Sequence, residues 1–270
     1  MPEAWRFAGV DLSTYATLIR SVDGADELPP LRGENVLVPS IAGRRFARKQ
    51  WDQSRKALAL WVQPLDADGN LVEPTNARQA RANLDGLYAV LGRRTQGELV
   101  RVMPDGSERS VMAEVVSVGD ITDELGHEAI GLVADFELAD PRFRGAAVTA
   151  TQAIAASPTD FALDNAGTVA DHRLVATFTG PVSNPRLANL SIDPAGGFYV
   201  ECLVTVAAGT ELVVDGEAWT ATNDGVNAIG SIRHSGAFEF FRLEPGTNNL
   251  RVTASSPGGS LELAYQPAYL

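Results

Sequence analysis

Only one segment of this chain carries helical periodicity, and the rest changes character every few residues. Ala77, Ala80, Leu84, Leu87, Tyr88 and Leu91 recur at the spacing of one helix face. Asn76 and Gln79 read as a capping box, with Pro74 just upstream and Gly92 as the residue after the end. The spacing therefore predicts a helix over 76–91. Elsewhere short apolar runs alternate with Pro, Gly and Asp-Gly punctuation. A chain patterned this way is confined to a mainly β fold with a single helix.

Lys56 to Gln63 places Leu58, Leu60 and Val62 on one side and Ala57, Ala59 and Trp61 on the other. Both sides are apolar, so this strand is expected to be covered on both faces. Val36 to Pro39 reads as a short strand. Asp66 to Asn70 reads as a turn, because it lacks the closing Glu of a calcium loop: residue 77 is Ala. Further strands are expected at 98–103, 110–118 and 129–138, with Asp105-Gly106 as a turn.

Beyond residue 146 the composition shifts: 17 of the 22 basic residues precede it. We place a domain boundary there, giving domains 1–145 and 146–270. The stretch from Thr149 to Ser157 is either linker or a first strand. Strands are expected at 171–178, 187–192, 197–206, 211–215, 218–222, 228–233, 237–243, 249–254 and 260–266. Val214-Asp-Gly-Glu217 reads as a type I′ hairpin. Pro245 to Asn249 and Ser256 to Gly259 read as turns. Many short strands at close spacing argue for a β-sandwich or a jelly roll.

A net charge of −12 disfavours nucleic acid and anionic lipid as partners. The single cysteine, Cys202, lies in an apolar run and reads as a small buried hydrophobe. His127, His172 and His234 stand 45 and 62 residues apart, without ligand spacing, so neither a metal nor a cofactor is expected. No Gly-x-Ser-x-Gly elbow and no phosphate loop before a helix is present. The chain reads as a non-enzyme. It has no signal peptide and no membrane-spanning run, so no membrane insertion is expected.

The one strong charge feature runs from Arg44 to Lys56, with six basic residues, one acid and two interleaved aromatics. Arg and Trp are the types enriched at interface hot spots, and we read Arg44, Arg45, Phe46, Arg48, Lys49 and Trp51 as a protein–protein contact, to a neighbouring subunit, in preference to a solvated loop or a nucleic-acid surface. Tyr199 and Trp219 are the aromatic residues available as a glycan platform under an alternative reading, a carbohydrate-binding module.

Several segments are familiar in combination. They are Val36-Leu-Val-Pro-Ser-Ile-Ala-Gly-Arg44, the strand 56–63, the helix 76–91 and Leu138-Ala-Asp-Pro-Arg-Phe-Arg144. Phe161-Ala-Leu-Asp-Asn-Ala-Gly167 and Phe178-Thr-Gly-Pro-Val-Ser-Asn-Pro185 follow. Phe240-Phe-Arg-Leu-Glu-Pro-Gly-Thr-Asn-Asn-Leu250 and Leu263-Ala-Tyr-Gln-Pro-Ala-Tyr-Leu270 complete the series. In this order they resemble the distal tail proteins of siphophages, including the minor tail proteins of actinophages.

That resemblance implies a belt-type N-terminal β domain with one helix and a C-terminal galectin-like β-sandwich. It implies a homo-hexamer in the virion, at the distal tail, assembled in the host cytoplasm. Its partners would be the tail-tube protein, the tail-tip or baseplate hub protein and the tape measure protein, with DNA only in transit through the lumen. A galectin-like fold does not carry sugar binding with it. His172 is followed by Arg-Leu-Val and Trp219 by Thr-Ala-Thr, so the saccharide motif of lectins is not present in order.

Overall fold

The computed structural model describes residues 4–21, 30–32, 36–37, 44–45, 50–66, 68–72, 77–122, 129–236 and 239–270. The chain divides into two compact units, Met1–Phe143 and Arg144–Tyr269. Among the described residues the fold is mainly β with one α-helix, as the patterning predicts.

The first unit is built on an antiparallel sheet. Its strand order is Val10–Asp11, Ala4–Phe7, Gly97–Val102, Glu108–Thr122, Ile130–Leu138, Ser54–Val62, Ala16–Ser21. Ser54–Val62 pairs with Ile130–Leu138 over nine residues without a register shift, from Leu138↔Ser54 to Ile130↔Val62. Leu58, Leu60 and Val62 therefore share one face with Leu132, Ala134, Phe136 and Leu138, and all are buried. Phe7 and Phe136 meet edge-on at 5.2 Å. Each such side chain contributes about 1.5–3 kcal/mol of burial.

The helix Ala77–Leu91 packs against Ser54–Val62 and Ile130–Leu138. Its buried positions are Ala80, Leu84, Leu87, Val90 and Leu91. Tyr88 departs from the expected stripe and is exposed, while Asn83 is buried. Asn83 Nδ2 donates to the Gln63 and Leu65 carbonyls at 2.8 and 3.0 Å, so the buried face includes a polar contact to the chain leaving the sheet. The capping residues Pro74 and Asn76 lie outside the described residues.

The second face of Ser54–Val62 is partly covered: Ala57, Ala59 and Trp61 are half-buried. Asp66 to Asn70 is a turn, as expected. Asp66 Oδ1 accepts from the amides of Asp68 and Asn70, and the Asn70 bond leads in holding the Asp66 carboxyl below the usual carboxylate range.

The second unit is a β-sandwich. One sheet runs Val148–Ala153, Ser260–Tyr265, Leu174–Thr179, Glu211–Asp215, Thr220–Asn223, Val226–Asn227. The other runs Thr159–Asn165, Gly246–Thr253, Arg186–Asn189, Tyr199–Cys202, Ile232–His234. The core draws Phe178, Leu212, Leu261 and Leu263 from the first and Leu187, Val200, Leu250 and Val252 from the second. Cys202 is fully buried there, and burial pushes its thiol up to about 12.

Several local expectations are corrected. The 149–157 stretch begins as a strand, Val148–Ala153. Thr159–Asn165 is a strand that the sequence pattern did not single out. The 197–206 run breaks at Leu203 into Tyr199–Cys202 and Thr205–Val206, which pair with different neighbours. Of 237–243, residues 239–242 form no strand, yet Phe240, Phe241 and Leu243 are buried in the core. Residues 228–233 hold a 3-10 turn, Ile229–Ser231, before the short strand Ile232–His234. Pro245 to Asn249 is not a turn, because the strand Gly246–Thr253 already starts within it.

The type I′ hairpin falls one strand later than expected. Asp215 pairs with Thr220, so Gly216 to Trp219 form a four-residue loop. The two-residue turn is Asp224-Gly225, with φ of +51° and +73° between the paired Asn223 and Val226. Gly216 is required for closeness instead: a Cβ there would collide with the His172 carbonyl.

Candidate functional site

Of the interface residues named from sequence, Phe46, Arg48 and Lys49 lie outside the described residues. Arg44–Arg45 pairs with Val36–Leu37, and Gln50–Trp51 with Leu31–Arg32, in two small ladders. The side chains of Arg44, Arg45 and Trp51 are not among those described. At the end of the same stretch, Arg55 is exposed and Lys56 is buried.

The face of the first unit's sheet opposite Phe136 and Leu138 is acidic along one stripe. Met112 pairs with Glu98, Glu114 with Glu137 and Glu137 with Arg55. Alternation puts Met112, Glu114, Asp135 and Glu137 on the face opposite Phe136 and Leu138. Glu98 and Glu114 are exposed. Like charges directly opposite each other, as in Glu114 and Glu137, destabilise a ladder. Arg55 lies 4.0 Å from Glu137 and offsets part of this. Ser117 Oγ donates to Asp135 Oδ2. Beside the acids lie the half-buried Ala57, Ala59, Trp61 and Val133. Sequence reasoning missed this stripe, since its members come from three strands and meet only once the register is known.

Tyr199 and Trp219 are not equivalent. The Arg186 guanidinium lies 3.8 Å from the centroid of the Tyr199 ring and covers it. Trp219 ends the loop Gly216–Trp219 with φ of +55°, a conformation that costs a bulky residue about 1–3 kcal/mol. The residue is 41% exposed. It rests on Phe240 at 4.7 Å and on His234 at 6.1 Å, and those two rings meet at 5.3 Å. His234 Nδ1 lies 2.8 Å from the Gly236 carbonyl oxygen and donates to it, which fixes the imidazole. His172 stands beside Asp171 at a single β-bridge residue, and His127 lies outside the described residues.

Beneath this rim, three buried asparagines hold the irregular segment that delivers Phe240. Asn248 Nδ2 donates to the Glu244 and Gly246 carbonyls, and its Oδ1 accepts from Glu244 N and Asn189 Nδ2. Asn189 Nδ2 also donates to the Arg242 carbonyl, and Asn165 Nδ2 to that of Glu244. Arg242 in turn donates to Glu239 and Glu244 at 2.5 and 2.7 Å. These contacts give the Phe240 to Leu250 motif its physical meaning: they fix the non-strand stretch from Phe240 to Pro245 ahead of the strand Gly246–Thr253.

Residues 167–269 match the family described as the siphovirus-type tail component, C-terminal domain. No curated protein sequence matches the chain. Among solved structures, the crystal structure of the Dit protein of phage SPP1, titled a paradigm of the hub adsorption apparatus in phages infecting Gram-positive hosts, superposes over 100% of both chains. The TM-score is 0.66 at 14% identity. A chain of the phage P2 baseplate in its activated, calcium-containing conformation also covers 100% of both chains, at 8% identity and a TM-score of 0.41. Residues 167–269 of the second unit are thus similar to a siphovirus-type tail component domain, and the fold of the whole chain is Dit-like.

Proposed function

We propose that this chain is a structural protein of the distal tail of a siphophage, forming a hexameric ring that joins the tail tube to the tail-tip hub. The observation that carries the reading is the tail-component domain at 167–269 within a chain that superposes along its full length on the SPP1 Dit protein. In this reading the first unit is the belt of the ring and the second is a galectin-like sandwich carried on it. Arg44, Arg45, Phe46, Arg48, Lys49 and Trp51 contact a neighbouring subunit, the tail tube or the tape measure protein. The protein assembles in the host cytoplasm, performs no catalysis and ends in the virion.

The acidic stripe fits the lumen of such a ring. Glu98, Glu114, Asp135 and Glu137 share the sheet face opposite Phe136 and Leu138, with Glu98 and Glu114 exposed and Asp135 and Glu137 half-buried. A wall of carboxylates repels phosphates, so DNA in transit meets no sites to stick to. The half-buried Ala57, Ala59 and Trp61 beside it suit contact between copies.

Negative-stain microscopy of the purified protein tests the ring. Six-fold rings are expected, alone or with the tail-tube and hub proteins added. Monomers in the presence of both neighbours refute the reading. A reconstruction in which basic residues line the lumen refutes the role given to the acidic stripe.

A further inference from the structure

We propose that the strand Val148–Ala153 is a self-recognition edge of the second unit, which pairs antiparallel with the same strand of a second copy about a two-fold axis at Thr151. The strand ends its sheet and is laddered on one side only, to Ser260–Tyr265. Ile154 N donates to the Gly259 carbonyl, one step beyond Ala153↔Ser260 in the same register. Alternation along an antiparallel ladder then turns the backbone groups of Ala150 and Gln152 toward Ser260–Tyr265, and those of Thr149, Thr151 and Ala153 outward. Among the described residues the one partner of these outward groups is the Gln152 side chain, which donates to the Ala153 carbonyl and leaves it a second lone pair. A row of alternating donors and acceptors of this kind fits an extended polypeptide.

Soluble folds guard such edges by shortness, charge, proline or a bulge. The other strands that end the larger sheets are guarded. Val10–Asp11, Val226–Asn227 and Ile232–His234 are short. Ala16–Ser21 carries a register shift between Leu18 and Arg20, and Thr159–Asn165 exposes Asp160 and Asp164. Val148–Ala153 has six residues in one unbroken register, with neither charge nor proline. It lies within 145–159, the longest uncharged run of the chain.

That run selects the occupant. Copies of a chain with net charge −12 repel wherever their carboxylates meet, and along this edge none do. A basic partner strand would be served better by acids such as Asp160 and Asp164. The strand is also self-complementary. About Thr151, Thr149 lies opposite the partner's Ala153, Ala150 opposite the partner's Gln152, and Thr151 opposite its own copy, so a Thr–Thr pair stands at the centre and no like charges face each other. Each outward N–H then meets an outward C=O. A two-fold contact does not join neighbours within a six-fold ring, so it links free subunits or copies in different rings, and it stands apart from the ring reading.

The test is amide hydrogen exchange of the full chain at about 10 µM and about 1 mM, a range chosen because a single strand pair buries little and associates weakly. At the higher concentration the amides of Thr149, Thr151 and Ala153 are expected to slow about tenfold or more, while those of Ala150 and Gln152 are slow at both. Thr151→Pro removes an outward N–H that the fold itself does not use, a position at which an edge strand tolerates proline. It is expected to abolish the protection of Thr149 and Ala153 with its circular dichroism unchanged, whereas Thr151→Val, which keeps the amide, retains that protection. If Thr151→Pro does not fold, Thr151→Lys replaces it: two ammonium groups then oppose each other at the axis, and the same loss is expected. Rapid exchange of the three outward amides at both concentrations overturns the proposal, as does protection that survives in Thr151→Pro or Thr151→Lys. Protection that arises only on adding a different polypeptide assigns the edge to a foreign strand and overturns it as well. The readout is confined to these amides, so a chain that forms no ring can still pass it.

Discussion

Asn248 accepts a hydrogen bond on its Oδ1 from Asn189 Nδ2 at 2.8 Å, and both residues are fully buried 59 positions apart in the chain. All four bonding positions of the Asn248 amide are filled, two from each end. Replacement by Ala leaves the Glu244 amide and one Asn189 Nδ2 hydrogen without their partner and takes one of two donors from the Glu244 carbonyl, which keeps Asn165. Each buried orphan costs about 1–3 kcal/mol. Asn248→Ala is therefore expected to lose about 3–5 kcal/mol of the second unit's stability, read by urea denaturation. Asn248→Asp should cost at least as much, since it loses both donors and buries a charge. A loss below about 1 kcal/mol would show that the clamp is dispensable.

Gly86 sits inside the helix, where Gly→Ala ordinarily stabilises by about 1 kcal/mol. Here a Cβ would come within 2.6 Å of the Tyr15 ring. Overpacking of this kind costs about 1–3 kcal/mol, so Gly86→Ala is expected to lower the melting temperature. In a Tyr15→Ala background the same change should raise it. The reversal of sign, measured by calorimetry on the four proteins of the cycle, separates the clash from a general intolerance of the helix.

The distribution of such features explains what could be read from sequence. Ser54–Val62 was legible because its alternation is written in consecutive residues. Thr159–Asn165 was not: Asp164 and Asn165 disfavour a strand locally, and only seven residues of ladder with Gly246–Thr253 make it one. Three Asp-Gly pairs show the limit most clearly. Asp105-Gly106 ends a hairpin with Gly106 at φ of +84°, Asp224-Gly225 forms the two-residue turn, and Asp215-Gly216 opens a four-residue loop. The dipeptide permits all three, and the register of the flanking strands chooses among them. Trp219 could be named by residue type. Its support by Phe240 and His234, like the Asn189–Asn248 clamp and the acidic stripe, depends on contacts between distant segments.

Cys202 offers a chemical check on the core of the second unit. Burial comes first and the neighbouring Glu201 second in pushing its thiol up to about 12. A thiol held protonated is neither nucleophilic nor easily oxidised. Native protein should resist iodoacetamide at pH 8 and react once unfolded in urea. The linkage has a definite sign. The unfolded thiol ionises near 9.0 and the folded one near 12, so its contribution is intact below pH 9 and lost between the two. Stability should fall across that window, and less steeply in Cys202→Ala. Rapid labelling of the native protein at pH 8 would contradict the packed core.

Glu114 and Glu137 face each other on paired strands, an arrangement that opposes folding. Glu114→Lys converts the repulsion into an attraction, expected to add about 0.2–1 kcal/mol to the stability of the isolated protein. If the stripe lines a DNA path, the same change should harm function, because each copy then presents an ammonium group that binds phosphate. Phage carrying Glu114→Lys should then assemble tails of normal length and adsorb normally, yet eject DNA more slowly, with the defect relieved at higher ionic strength. Glu114→Gln, which removes the repulsion without adding a cation, should gain part of the stability and keep normal ejection. Ejection at the wild-type rate in Glu114→Lys phage would place this face away from the DNA, whatever the ring's stoichiometry proves to be.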